Sequence, residues 1–422
     1  MNTEDMNIEQ DVVTASVTSV EKKTTRNTSE LVTSAVGNLS NASGATPKVN
    51  TELMMRRRVK NLLKRPQPEQ RTEEWFKARQ TRVTASEAAS CFKKTKDVCE
   101  PYVNDFKLQN FKYNDNEGLN PYEKKDDYIT KKCESFYGRG VFRDNMFTLW
   151  GKKYEDVASR LYKKIKKKVV YDFGLISHSR LKWLAASPDG ITEDGVMLEI
   201  KCPKSRKIDP GAPPLYYYIQ CQIQLEVCNL EDCDFLECEI EEVTESEFLK
   251  IEPCYNQDKG ILFQIVDSGP EPKFIYPPVE LTTTTEFLAW RDKQLMERND
   301  ITPCYYFVKK FHIIAIKRNK EWFEKNKGEI KATWDIITRM QQNEEEFIKY
   351  KESINQIKNK SFNEKYEATN CLISEPENSI HTPFFIMPTE MEEVDTCCEI
   401  KSEDVCMDSN EKCDDNVCMI ED

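Results

Sequence analysis

The sequence predicts an α/β (α+β) domain: a central mixed β-sheet flanked by helices, with disordered tails at both ends. Three observations predict it. Hydrophobic spacing runs in the order helix, strands, helix, strands through the body of the chain. The strand-like segments are rich in β-branched and aromatic residues, as in KVVYDFGLIS at 168–177. The two ends cannot supply a core. Residues 1 to about 50 are rich in Ser, Thr and Asn, and Leu372 to Asp422 carries 15 Asp/Glu against 2 Lys/Arg. That acidic tail has a net charge of −13, so the remaining residues sum to +1 although the whole chain is −12.

The elements follow in order. MRRRVKNLLKR at 55–65 is strongly basic and reads as a nuclear address, a nucleic-acid contact or a solvated helix turn. The folded body is expected to begin near Pro66. Residues 73–80 read as a short helix carrying Trp75 and Phe76, and TASE at 84–87 as a helix start with a hydroxyl cap. Residues 97–135 are polar and read as an insertion or loop. Residues 145–168 have apolar side chains at helical spacing, among them Trp150, Tyr154, Val157 and Leu161. They end in KKIKKK at 163–168, a candidate phosphate track. Strands are expected at 168–177, 183–187 and 196–202, with a tight turn at Asp194–Gly195. A helix at 216–229 would align Tyr217, Gln220 and Gln224, and strands are expected again at 233–243 and 262–266. One long amphipathic helix is expected from about 319 to 360, striped by Trp322, Ile330, Trp334, Ile337, Phe347 and Tyr350. The implied domains are 1–65 disordered and basic at its end, 66–310 the folded α/β body, 311–365 a long amphipathic helix, and 366–422 a disordered acidic tail.

Composition excludes several classes. No apolar run reaches the roughly 18 residues a membrane span needs. The N-terminus lacks the basic and apolar regions of a signal peptide, so an intracellular protein, in cytoplasm or nucleus and not secreted, is expected. The 16 cysteines then read as reduced thiols, and those of the tail contain no CxxC pair. With only 3 histidines, His-based acid–base catalysis is not expected, and without GxxxxGK[ST] no ATPase motor is.

Chemistry concentrates in SPDGITEDGVMLEIKCP at 187–203. Side chains alternate along a strand, so Glu199 and Lys201 share one face while Leu198 and Ile200 point into the core. A hairpin brings Asp189 beside Glu199. Two converging carboxylates repel unless a cation lies between them, and oxygen ligands select a hard ion such as Mg²⁺ or Mn²⁺. A lysine beside that ion completes a phosphodiester-hydrolysis constellation. On this segment alone, a solvated strand face accounts for the same residues.

Pro188, Asp189, Glu199, Ile200 and Lys201 resemble the PD-(D/E)xK nuclease core. WFKAR at 75–79 with TASE, WGKKYEDVA at 150–158, ASPDG with LEIKCP, and QCQIQLEV at 220–227 are similar, in that order, to the phage lambda exonuclease or YqaJ-type viral recombinase family. The stretch QIQLEVCNLEDCDFLE at 222–237 further resembles versions carried by nucleocytoplasmic large DNA viruses. The resemblance spans about residues 70–245 and implies a restriction-endonuclease-like core. It implies that Asp189, Glu199 and the Ile200 carbonyl ligate Mg²⁺, for which Mn²⁺ can substitute, and that Lys201 positions the attacking water. Glu155 would reach the metal site, Gln220 would support it, and Arg79 with Ser86 would grip a 5′-phosphate. The implied function is a DNA exonuclease acting 5′-to-3′ on linear double-stranded DNA ends in recombination, repair or replication-end processing. A single-strand annealing protein is the implied partner, and some relatives form trimers. A structure-specific endonuclease on the same core and an inactive DNA-end-binding protein are the alternatives.

Overall fold

The computed structural model describes residues 48–140, 145–251, 258–266 and 272–370. In chain order the elements are α1 (Lys48–Leu63), α2 (Glu73–Gln80), β1 (Val83–Thr84), a 3₁₀ turn (Ala88–Cys91), β2 (Lys93–Lys94), α3 (Lys96–Asp105), β3 (Asn114–Gly118), α4 (Lys125–Phe136) and α5 (Met146–Lys166). There follow β4 (Val170–Tyr171), β5 (Ile176–Ser177), β6 (Leu184–Ala186), β7 (Gly190–Thr192), β8 (Val196–Lys201), α6 (Leu215–Cys228) and β9 (Asp232–Val243). The remainder is α7 (Glu245–Lys250), β10 (Lys259–Ile265), β11 (Phe274–Ile275), α8 (Thr284–Glu297), β12 (Ile301–Lys317), α9 (Lys320–Gln342) and α10 (Glu344–Asn370). The chain divides into two units, up to Ile354 and from Asn355. In the second, the described residues are the end of α10.

The centre is a seven-stranded mixed sheet in the order β11-β10-β12-β9-β8-β7-β4. The pair β8–β9 is parallel and its members are joined by α6, while the other pairs in this sheet are antiparallel. A parallel neighbour needs a crossover long enough to return, and α6 supplies it. Both faces of β8 are covered. Leu198 and Ile200 pack with Tyr154, Val157 and Leu161 of α5. Met197 packs in the opposite layer with Ile219 and Ile223 of α6. The face that carries Glu199 is therefore buried, which an alternating sequence alone does not reveal.

Several expectations need correction. The fold does not begin at Pro66: α1 buries Val59 and Leu62, each 1% exposed, and Arg56 pairs with Glu193 at 2.7 Å. The α1 side chain Met55 also lies over the Asp194–Gly195 turn, where Gly195 has φ +89 and a Cβ would meet Met55 Cβ at 3.0 Å. Residues 97–135 are not a loop. They contain α3, whose first turn is capped by Thr95, and α4, which together bury Val98, Cys99, Tyr102, Tyr128, Ile129 and Cys133. TASE starts no α-helix: Val83 and Thr84 pair in parallel with Leu184 and Ala185, and sheet pairing overrides the capping preference. The helix expected over 319–360 is two, α9 and α10. Asn343 leaves helical geometry at φ −140, and its side chain accepts from the Glu346 N–H at 3.2 Å. Asparagine does this because its side chain competes for backbone groups at helix ends. The boundary between 310 and 311 also falls inside β12, whose residues pair continuously with β9 across it apart from a bulge between Val308 and Lys310. The acidic tail, its cysteines and the first 47 residues lie outside the described residues.

Candidate active site

The β7–β8 hairpin closes through Thr192. Its hydroxyl donates to Asp194 Oδ1 at 2.7 Å and accepts the Val196 N–H at 2.9 Å. Gly195 takes the left-handed conformation this turn requires, φ +89. The register Gly190↔Leu198 sets Asp189 opposite Glu199. Asp189 Oδ2 accepts the Ile200 N–H at 2.7 Å, so strand geometry fixes the first acid. The residues before it are also pinned. Trp75 Nε1 donates to Ser187 Oγ at 2.9 Å, and Gln70 Nε2 to the Pro188 carbonyl at 3.1 Å.

Glu199 is 1% exposed and fully engaged. Its Oε1 accepts from Lys201 Nζ and from Gln220 Nε2 at 2.6 Å. Its Oε2 accepts from Gln224 Nε2 at 2.7 Å. Gln220 and Gln224 stand one helical turn apart on α6, so one helix face orients the whole carboxylate. Gln224 was not anticipated as a site residue, although its four-residue spacing from Gln220 was the signal that could have found it. Its Oε1 is buried without a hydrogen-bond partner, leaving an acceptor beside Glu199.

The electrostatics are those of a cation site. Burial pushes Asp189 well above the ordinary carboxylate range, and the Glu199 and Glu155 carboxylates push it further. Lys201 and the Ile200 N–H work the other way. For Lys201, burial favours the neutral amine, but Glu199 and Asp189 outweigh it and hold the side chain as an ammonium. Its Nζ lies 4.8 Å from the centroid of the Tyr217 ring. Among the described residues no group of three or more His, Cys, Asp or Glu forms a complete metal cage. The donor set still fits Mg²⁺, which needs only one or two carboxylates and keeps several waters. Two hard carboxylates whose mutual repulsion a cation would relieve, with an orphaned buried carbonyl oxygen beside them, meet that requirement.

Glu155 lies on α5 and shares a cleft of about 600 Å³ with Asp189, Gln70, Arg71 and Asp172. Its carboxylate is occupied by Arg71 Nη2 at 2.6 Å. Arg71 was likewise not anticipated. It has φ +70, a conformation uncommon outside glycine.

Arg79 and Ser86 come together around Glu87. Arg79 Cζ lies 4.4 Å from the centroid of the Trp75 ring, and Arg79 Nη2 lies 3.0 Å from Glu87 Oε1. Lys132 of α4 reaches Glu87 Oε2 at 2.9 Å, and Thr84 Oγ1 donates to the same oxygen at 2.7 Å. Ser86 Oγ is 3.3 Å from Thr84 Oγ1. Burial would raise Glu87, but Lys132 and Arg79 hold it well below the ordinary range. Two basic side chains face this one carboxylate, although burial and the neighbouring Arg79 pull the Lys132 amine below its ordinary range while Glu87 supports its charge. Trp75 ties this cluster to Ser187, two residues before Asp189. The lysines of KKIKKK behave differently: Lys164, Lys166 and Lys168 pair with Asp258, Asp234 and Asp194.

Residues 74–231 match the family model described as the YqaJ-like viral recombinase domain. The chain is 28% identical over 381 residues to "Uncharacterized protein R354" of Acanthamoeba polyphaga mimivirus, covering 79% of this chain and 64% of that one. It thus spans just under two thirds of the length of that relative, whose source agrees with the resemblance to large DNA virus proteins. Among solved structures, an alkaline exonuclease from Laribacter hongkongensis matches at 18% identity and TM-score 0.38, over 68% of this chain and 100% of that chain. A phage related exonuclease from Haemophilus somnus 129PT matches at 11% identity and TM-score 0.35, over 61% and 94%. Residues 74–231 are thus similar to the YqaJ-like viral recombinase domain, in line with the resemblance the sequence carries.

Proposed function

We propose that the protein is a Mg²⁺-dependent DNA exonuclease that works 5′-to-3′ on linear double-stranded ends. One observation carries the reading: β8 and its hairpin partner set Asp189, Glu199 and Lys201 around one point, with the two glutamines of α6 fixing the second acid. When bound by Asp189, Glu199 and the Ile200 carbonyl, Mg²⁺ (or Mn²⁺) would supply Lewis-acid stabilisation of the phosphoryl oxygens. The chain does the rest. Gln220 and Gln224 hold Glu199 in one orientation, and the Ile200 N–H holds Asp189. The Lys201 ammonium orients the attacking water and stabilises charge on the phosphate. Water attacks phosphorus, the P–O3′ bond breaks, and a 5′-mononucleotide leaves.

The basic pair Arg79 and Lys132, with the Ser86 hydroxyl beside it, suits the terminal 5′-phosphate. Binding that phosphate places the first internal linkage at the site and makes the enzyme read ends. Glu155 and Arg71 line the approach. The family resemblance adds an annealing partner for the exposed strand and a trimeric assembly, and roles in recombination, repair or replication-end processing. Sedimentation of the purified chain tests the assembly.

The activity test uses linear duplex labelled at either the 5′ or the 3′ end, Mg²⁺, a Lys201→Ala control and a covalently closed circle. Release of 5′-mononucleotides from linear DNA alone, lost in Lys201→Ala, is expected. Nicking of the circle would replace the exonuclease by an endonuclease. Retained end binding with no cleavage would make the chain a DNA-end-binding protein.

A further inference from the structure

We propose that Tyr122, backed by Tyr216 and Tyr217 and edged by Arg206, forms a stacking platform for unpaired nucleotides of the DNA strand cut at Lys201. The proposal rests on the nuclease reading and adds how the strand is held beside the site.

The aromatic series starts at the catalytic lysine. Lys201 Nζ is 4.8 Å from the Tyr217 centroid. Tyr217 and Tyr216 have centroids 4.2 Å apart. Tyr216 and Tyr122 follow at 5.5 Å, with their planes 87° apart. Tyr216 and Tyr217 are partly buried against the core, so the ring surface left open by this perpendicular contact is that of Tyr122. Tyr122 is 75% exposed, a large aromatic surface kept in water.

That exposure does not come from a loose backbone. The Tyr122 N–H donates to Asn120 Oδ1 at 3.0 Å, and Asn120 Nδ2 donates to Ser90 Oγ at 2.8 Å. Ser90 Oγ in turn donates to Glu123 Oε2 at 3.0 Å. The residues on both sides of the tyrosine are tied to the 3₁₀ turn, so the ring is presented in a set position.

Charge complements the rings. Arg206 is held by the buried Glu237 and lies 5.9 Å from the Tyr217 centroid. Aromatic faces interleaved with cations are the arrangement that binds single strands, the cations following the backbone and the rings taking the bases. Because every base has a π-face, such a platform tolerates all sequences, as an enzyme that digests from any end requires. Inside a duplex both faces of each base are stacked, and a blunt end exposes only one face of its last pair, so the occupant that gives the ring its fullest contact is a frayed or single-stranded end.

The test titrates the full chain, without divalent ion, against a fluorescent short oligothymidylate. A second oligonucleotide carries abasic sites at its two 5′-terminal positions. Tyr122→Ala is expected to weaken the intact oligonucleotide about five- to tenfold, Tyr122→Trp to restore it, and the abasic probe to bind both alike. Equal affinity of the parent and Tyr122→Ala for the intact probe overturns the proposal, as does an equal loss on the abasic probe. A parallel turnover assay separates the two readings. Turnover with Tyr122-independent binding removes the platform alone. No turnover with Tyr122-dependent binding removes the nuclease and supports the platform.

Discussion

Two buried carboxylates, Glu199 and Glu87, stand on either side of the Trp75–Ser187 bridge and are held in opposite ways. Glu199 is held by two neutral amides and one lysine. Glu87 is held by an arginine, a buried lysine and a hydroxyl. Amides orient a carboxylate without cancelling its charge, and the single Lys201 ammonium is shared with Asp189, so the pair of acids keeps its attraction for a cation. Two basic side chains face the single charge of Glu87. In the proposed reading, like residues thus serve as a metal-facing acid and a phosphate-facing counterion through the donors around them.

Predictions follow from breaking each arrangement. Lys201→Ala and Glu199→Gln are each expected to lower kcat on linear duplex by about 1000-fold, with unfolding midpoints within a few degrees of the parent. Glu87→Gln should do the reverse. Removing the anion between two cations leaves buried Lys132 uncompensated and destabilises the fold by about 3 kcal/mol, read by urea unfolding. Gln224→Ala should lower activity about 10- to 100-fold, mostly in kcat, because Glu199 loses the donor that orients Oε2. A Gln224→Asn variant, too short to reach, should behave the same way.

The smallest effect sharpens the comparison by pH. Glu226 is a third paired acid, 7% exposed, with Arg318 Nε at 3.1 Å and His178 Nε2 at 3.4 Å. Burial would raise it, but His178 and Arg318 bring it down to about 2. A depressed folded-state value gives stability that is present above the ordinary carboxylate range and lost as pH falls through the folded one. Glu226→Gln should therefore cost about 2 kcal/mol near neutrality. The difference from the parent should shrink between pH 4.5 and about 2 in acid-unfolding curves.

The hairpin that carries Asp189 and Glu199 was legible because its signals are local. Alternation sets the faces of β8, and Asp194–Gly195 sets the turn that aligns Asp189 with Glu199. The helix α6 was legible from its length, although its second glutamine gained a role only once Glu199 was seen to be covered. The rest depended on distant partners. Helices α3 and α4 hide in polar sequence because their buried faces are narrow, and one buried side chain, Lys132, looks like a surface residue. TASE carries a real capping pattern, and only the approach of Leu184 and Ala185, a hundred residues away, turns its first residue into strand. The break at Asn343 is silent because the apolar stripe resumes in phase at Phe347. Arg79 and Ser86 were singled out through the family resemblance, and the structure shows them near Glu87, whereas the Glu87–Lys132 pair was not legible in the sequence.

The central sheet is bounded by its two shortest strands, β11 and β4, each two residues long. Each long strand, from β8 through β12, has a neighbour on both sides. An exposed long edge is a template on which another chain can add a strand, the usual first step toward amyloid-like growth. Among the described residues the outermost strands are short, although Lys259–Leu262 of β10 and Cys238–Val243 of β9 extend past the strands β11 and β8 beside them. Short outer strands lower the tendency toward edge-to-edge aggregation even though the interior is rich in β-branched and aromatic strands. Growth by strand addition would have to begin at those two uncapped stretches.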